Sequence, residues 1–382
     1  MTDGSLLDHE GYDEATGLVL IRDGLEMPPI AMTPTRDQAI LARDLLLDLL
    51  QEFPFTDEES KAVALSMFIT PVIRGAMSVA PMHLITKPLP GTGASYLLDC
   101  AAIIATGEVC AVEAMAPKYE ETEKRLIGAA LYGFPIIGID NVREIVAGDF
   151  FCQVVERPLM SLRALGSSEK HRIPNSFTVF ATGNNASVAD DMVRRTIRCE
   201  LDANLEHPED REFSLDPVAT IQRNRGNYIA AALTIPLAYL AAGCPNPKRP
   251  LPSFGEWSRL VRDSLIWLGL ADPVATQARL RTDDPRKAEH GAIFDAWRTR
   301  IGTGSNRSCF TKELIDIANT DEPLREAFVA VAGQRFNADG KIDPKALGKW
   351  LAKHEGTIAA KCKLVADRTD ASRPRWYLEL RS

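Results

Sequence analysis

The chain of 382 residues has no long apolar run. Its hydrophobic stretches are broken by Arg, Glu, Gly or Pro well short of the ~18 residues a membrane span needs, so no membrane partner is expected. The opening residues, Met1 to Glu10, are acidic and polar, which excludes a secretory leader and makes the cytoplasm the expected compartment. Paired cysteines are lacking. Seven cysteines stand at 100, 110, 152, 199, 244, 309 and 362, odd in number and with no CxxC spacing. Most lie among Leu, Ile, Val and Ala, so they read as buried reduced thiols rather than a zinc ribbon or disulfide framework. Internal repeats and low-complexity tracts are lacking too, and with 25% charged residues nothing points to global disorder. A general excess of positive charge is missing as well: the net charge is −8. That excludes a protein coated in nucleic acid, but the charge is uneven. Lys341 to Ser382 holds ten Lys/Arg against five Asp/Glu, a net of +5, which leaves −13 for the rest. A basic tail on an acidic body fits a localised DNA contact.

With 45% hydrophobic residues the chain can build two or three packed domains. Residues 1–80 read as an irregular lead-in, with a hairpin near Leu18–Ile21, followed by helices over 36–52 and 57–75. Leu41, Leu45, Leu46, Leu49 and Leu50 are expected on one face of the first helix. From 81 to 213 short apolar runs (Met82–Ile85, Pro135–Ile139, Phe177–Ala181, Ile197–Leu201) alternate with helical segments, the pattern of a mostly parallel α/β sheet. Residues 214–303 turn helical, with helices near 226–243, 254–269 and 284–300. A small basic domain is expected over 304–382.

Lys87-Pro-Leu-Pro90-Gly91-Thr92-Gly93-Ala94-Ser95-Tyr96 follows a strand and opens a helix, the context of a phosphate-binding loop. It departs from the usual pattern twice: Pro88 replaces the first Gly and Ala94 replaces the Lys. Backbone amides from Pro90 to Tyr96 can still cradle phosphate, and Ser95 can still ligate Mg²⁺. The ammonium that would reach the outer phosphates is lost, unless Lys87, or Lys124 or Arg125 of a neighbouring subunit, replaces it. Taken alone, the loop reads more readily as a ligand-free strand–helix turn, and the motifs that follow turn the reading toward a nucleotide. Phe134 to Asp140 is an apolar strand ending in Asp, 45 residues beyond Ser95, where a second Mg²⁺ contact belongs. Asn141 follows it, and an amide can position a water but cannot take its proton. A strand merely ended by a capping Asp is the alternative. A further apolar strand, Ser176 to Thr182, ends in Gly183-Asn184-Asn185. The pair Arg194-Arg195 stands just before the next strand.

These motifs in this order resemble an AAA+ ATPase. The run TGNN, then DDMVRR, then RCELDANLEHPEDREF is similar to the ATPase part of a bacterial prophage and mobile-element family of primase–helicases, also described as bifunctional primase–polymerases and related to superfamily 3 helicases. The resemblance extends from Gly4-Ser5-Leu6-Leu7-Asp8 to the end. Members often carry Lys where Ala94 stands, whereas the Ile139-Asp140-Asn141 form is shared. No primase-type carboxylate cluster is visible, so a separate primase or polymerase partner is implied. The resemblance implies an AAA+ P-loop core, a helical lid and a C-terminal winged helix. It implies ATP and Mg²⁺ as cofactors, with Asn184 sensing the γ-phosphate. Arg194 or Arg195 would serve as an arginine finger across a homo-oligomeric, hexamer-like ring; a solvated or salt-bridged turn is the alternative.

Leu159 to Asn175 reads as strand, turn, strand, with Gly166-Ser167-Ser168 in the turn. In superfamily 3 and MCM-type helicases a hairpin here grips single-stranded DNA in the ring channel. Lys170 and Arg172 would contact phosphates and His171 would stack or hydrogen-bond. A charged surface hairpin is the alternative. In the tail, Asn337–Gly340 forms a turn and Asp343 caps a helix in which Lys345, Lys349 and Lys353 recur every four residues on one face. Leu347, Trp350 and Leu351 lie on the other. Lys361–Asp367 and Arg375–Leu380 read as wing strands, with Arg368 and Arg373 between them, a pattern suited to duplex DNA. A protein-docking winged helix is the alternative. The expected function is an ATP-binding, helicase-like protein in replication of a phage or mobile element. Its alternative is a catalytically weak DNA-binding initiator or loading platform.

Overall fold

In the computed structural model, the described residues are all except 1–4, 15–17, 23, 117, 144, 164–168, 334–340, 369–372 and 382. The turn expected at Gly166–Ser168, the one at Asn337–Gly340, and Gly4 lie outside them. The chain divides into two compact units, Met1–Thr282 and Asp283–Ser382.

The first unit is mixed α/β. A short antiparallel hairpin, β1 (Gly11–Asp13) and β2 (Leu18–Leu20), lies in the lead-in. The core is a five-stranded parallel sheet of β3 (Met82–Lys87), β4 (Val112–Ala114), β5 (Ile136–Asp140), β8 (Thr178–Asn184) and β9 (Thr196–Glu200). Its order is β4-β5-β8-β3-β9, so β8 separates β3 from β5. Strands β3 and β8 are buried over nearly their whole length, as expected when both faces of a parallel sheet are covered. Between β5 and β8 stands an antiparallel hairpin, β6 (Leu159–Arg163) and β7 (Lys170–Pro174). Buried Arg74 anchors its base. The guanidinium donates to the carbonyls of Phe177 (2.8 Å) and Asn175 (2.7 Å), while Asn175 Nδ2 donates to the Val154 carbonyl (2.7 Å).

Helix α1 (Arg36–Asp48) starts on a reciprocal Thr35–Gln38 capping box and α2 (Glu58–Ile69) on an Asp57 cap. Ala39, Ala42, Leu46, Leu49 and Leu50 form the buried stripe of the α1 segment, and Leu41 is 69% exposed. At 100° per residue, Leu41 sits about 140° round from Leu46, so the five leucines do not share one face. Next come α3 (Ala94–Thr106), α4 (Tyr119–Tyr132) and α5 (Asp149–Glu156). The long α6 (Pro217–Ala241) begins nine residues before the expected helix at 226 and packs along α1 and α3. Its Arg225 donates to the carbonyls of Ile103 (2.9 Å) and Ala105 (3.0 Å), closing the C-terminus of α3 with a cation. The remaining helices of this unit are α7 (Gly255–Trp257), a π-helical turn (Ser258–Arg262), α8 (Asp263–Trp267) and α9 (Gln277–Thr282).

The helix expected last in residues 214–303 is α10 (Pro285–Arg300), and it belongs to the second unit. Its Ile293, Phe294 and Trp297 are buried in that unit's own core. With it pack α11 (Thr311–Ala318), α12 (Glu322–Ala332), α13 (Pro344–Lys353) and an antiparallel sheet of β10 (Ile358–Ala359), β11 (Cys362–Asp367) and β12 (Arg375–Leu380). No described helix is long and apolar enough to cross a membrane.

Candidate functional site at the C-terminal edge of the sheet

Strand β3 runs into the Pro88–Gly93 loop, and α3 begins at Ala94. Gly91 (φ 78°) and Gly93 (φ 104°) are left-handed, a conformation side-chain-bearing residues resist. At Gly91 glycine is needed twice over, because an added Cβ would lie 3.0 Å from the Glu209 backbone nitrogen and from its carboxylate. Thr92 Oγ1 donates to the Leu89 carbonyl (2.7 Å) and holds the loop closed. The first amides of α3 have no intrahelical acceptor, and with the positive end of the helix dipole they make the loop mouth a place for an anion. Ala94, where a lysine would be expected, is wholly buried in the core.

Asp140 ends β5 beside this mouth. Its carboxylate accepts from the Asn141 backbone N–H (2.8 Å), from Thr182 Oγ1 of β8, and from Ser95 Oγ (3.4 Å). Ser95 and Asp140 therefore meet directly, a hydroxyl and a carboxylate side by side at the loop mouth. Asn141 has φ 55° and turns the chain back, and Val142 N donates to the Thr182 carbonyl (2.8 Å). This crossing explains Gly183: a Cβ there would stand 2.4 Å from the Val142 carbonyl oxygen. Asn184 follows, exposed at the end of β8, in register with Lys87 of β3. Asn185 (φ 49°) then donates its N–H to the Lys87 carbonyl (2.9 Å). The edge thus brings together Pro90–Ser95, Asp140 and Asn184.

Five further side chains stand here that the sequence motifs give no role: Asp99, Glu209, Glu52, Phe53 and Asp216. Asp99 sits one turn after Ser95 on α3 and accepts from Cys110 N (3.1 Å). Burial and the Asp140 charge push it above the usual carboxylate range. Its i, i+4 spacing from Ser95 was a usable signal. Glu209 comes from a short 3₁₀ turn, Pro208–Asp210, and no local pattern marks it. Glu52 accepts from Ser214 N (3.0 Å) and Leu215 N (3.0 Å), which stitches the segment after α1 to the chain entering α6. In that segment Phe53 packs on Gly93 and near the Tyr96 ring, 6.5 Å between centroids. The Tyr96 hydroxyl donates to Asp216, the cap of α6. Burial, with Asp216 beside it, pushes that phenol up to about 12.

The two arginines part company. Arg195 is buried and bound inside the protomer: its Nε donates to Glu156 (2.6 Å) and its Nη1 to the Asp191 carbonyl (2.7 Å). Arg195 is thus committed within its own protomer, which leaves Arg194 as the more accessible of the two. Arg194 is half-exposed and pairs with Asp191 at 3.2 Å and with Glu156 at 3.4 Å. On the hairpin, Lys170 and Arg172 are exposed, with Lys170 opposite Arg163 and Arg172 opposite Ser161. His171 points to the other, half-buried face opposite Leu162, because successive residues of a strand alternate. The exposed strip is therefore Arg163, Lys170 and Arg172. In the second unit Lys345, Lys349 and Lys353 are exposed along α13, while Leu347 and Leu351 are fully buried.

No protein-family profile matches the chain, and neither does any curated protein. Among solved structures, the chain is similar to the A-form apo structure of the NrS-1 C-terminal region. That match covers 93% of this chain and 78% of the other, at 12% identity and a TM-score of 0.44. A second A-form apo structure, of residues 305–718 of the same region, covers 93% and 77% at 12% identity and a TM-score of 0.40. Similarity this low carries no inference about function.

Proposed function

We propose that the first unit is a nucleotide-binding P-loop module of AAA+ type, taking ATP with Mg²⁺, in a helicase-like protein that acts on DNA during replication of a phage or mobile element. One observation carries this reading. A left-handed Gly91/Gly93 loop at a helix N-terminus, the Ser95–Asp140 pair and exposed Asn184 converge on one edge of a parallel sheet. Loop amides hold the phosphates, Ser95 and Asp140 hold the metal, and Asn184 or Asn141 orients a water. Arg194 is the arginine that serves a neighbour in a ring, while Arg195 fixes the turn bearing it. Residues 214–282 act as the lid. The Arg163/Lys170/Arg172 strip meets single-stranded DNA, and α13 with β11 and β12 forms a winged helix on duplex DNA. A separate primase or polymerase works with it.

A second reading, a platform that binds ATP without useful turnover, is favoured by two observations. Buried Ala94 supplies no ammonium, and Asn141 supplies no base. The test is steady-state ATP hydrolysis by the full chain, with and without single-stranded DNA. Turnover stimulated by DNA supports the helicase reading. Saturable MgATP binding with negligible turnover supports the platform. Absence of MgATP binding overturns both.

A further inference from the structure

The Ala94 position removes the cation expected inside the loop, yet one cation remains at the edge. Lys87 is the last residue of β3, immediately before the loop. In parallel register it stands beside Asn184, as Ile85 stands beside Thr182. Side chains alternate along a strand, so Lys87, Asn184 and Thr182 emerge on one face. Thr182 donates to Asp140, and Asp140 meets Ser95 of α3. That face is therefore the one the loop and α3 cover. The Lys87 ammonium is half-buried there and feels the Asp140 charge, yet no described carboxylate forms an ion pair with it. Lys124 and Arg125, the other candidate cations, are exposed and both engaged with Glu121 on their own helix.

We infer that Lys87 takes the place of the missing loop lysine, its ammonium binding the outer phosphates of a nucleoside triphosphate held by Gly91–Ser95. The inference rests on the nucleotide-site reading above. Burial pushes this ammonium below the ordinary lysine range, and a half-buried charge with no ion pair among the described residues costs stability. Such a cost is typical of a group kept for binding rather than for folding. A single phosphate bound by the loop amides alone would not need it.

The test measures binding of ATP, ADP and AMP with Mg²⁺ to the full chain and its Lys87→Met and Lys87→Gln variants, each with a thermal melt. A charge-assisted contact to the outer phosphates predicts loss of ATP affinity by about tenfold or more in both variants. AMP affinity should change less than about twofold, and the melting point should hold or rise by about 2 °C. Lys87→Arg should retain most of the ATP affinity. ATP affinity unchanged in either folded variant overturns the inference and leaves the nucleotide site standing. An equal loss for ATP and AMP, with a lowered melting point, also overturns it, since Lys87 would then be structural. If the unsubstituted chain binds no nucleotide, the site reading fails and the inference with it.

Discussion

The sheet edge of the first unit and the lysine face of the second are both candidate anion sites, built by opposite means. At the edge, Lys87 and Asn184 apart, the framework is laid down by groups that are not free side chains. Backbone amides, left-handed glycines and a carboxylate fixed by three donors set the geometry, and strand register sets their spacing. On α13 the backbone is an ordinary helix, and the whole effect comes from exposed Lys345, Lys349 and Lys353 over buried Leu347 and Leu351. A preorganised site is sensitive to small steric changes and tolerant of salt. A face of mobile ammonium groups is the reverse.

Gly183→Ala is the sharpest way to break this contrast. The added methyl meets the Val142 carbonyl at 2.4 Å, where backbone must move. A loss of roughly 1–3 kcal/mol is expected, with displacement of Asn184, read by denaturant unfolding alongside nucleotide binding. A comparable alanine change anywhere on the solvent face of α13 should cost almost nothing.

Replacing Lys345, Lys349 and Lys353 together with Ala probes the other side. DNA affinity should fall uniformly across sequences, and the slope of log K against log salt should flatten by up to about three phosphate contacts. MgATP affinity should stay the same. An unchanged salt slope would remove this face from the DNA interface.

A smaller effect is expected at Glu209, whose carboxylate lies against Gly91. Glu209→Gln removes a negative charge facing the proposed phosphate position, so ATP affinity should rise by about two- to fivefold at low salt. A fall in affinity would mean that Glu209 helps to hold the metal instead.

The weakest effect concerns pH. Burial raises Glu156, but hydrogen bonds from Ser253 and Arg195 outweigh it and hold the carboxyl below its ordinary 4.5. A lowered folded value means the stabilisation is complete above 4.5 and fades as pH falls through the folded value. Melting curves between neutral pH and pH 3 should therefore show a shallower acid loss for Glu156→Gln than for the unsubstituted chain. Parallel curves would show that the Arg195 pairing contributes nothing to stability.

What was legible in the sequence follows the same division. The lysine spacing is local, so a helical repeat was enough to find it. The strands ending in Asp140 and Asn184 stood out because buried parallel strands are unbroken apolar runs whose polar ends mark the edge. Helix α4 left a weak trace because its buried positions, Thr122, Leu126, Ala129 and Ala130, are mostly small. Leu41 departs from the expected face because the angle a leucine takes round the helix, not leucine content, decides its burial. Arg74, Arg225, Glu52 and Glu209 had no signature at all: each acts on backbone or loop far along the chain, and only the fold brings them there. The fate of Arg195 likewise depended on Glu156, 39 residues earlier.

Calorimetric titration of MgATP into the full chain, and into its Asp140→Asn variant, tests the central claim most directly. The carboxylate that meets Ser95 is predicted to be needed for the metal, so the unsubstituted chain should bind one MgATP with weak but saturable affinity. Asp140→Asn should lose the Mg²⁺ dependence of that binding while keeping its melting point. Saturable binding that is equally Mg²⁺-dependent in both proteins, or no binding in either, would contradict a nucleotide site at this edge.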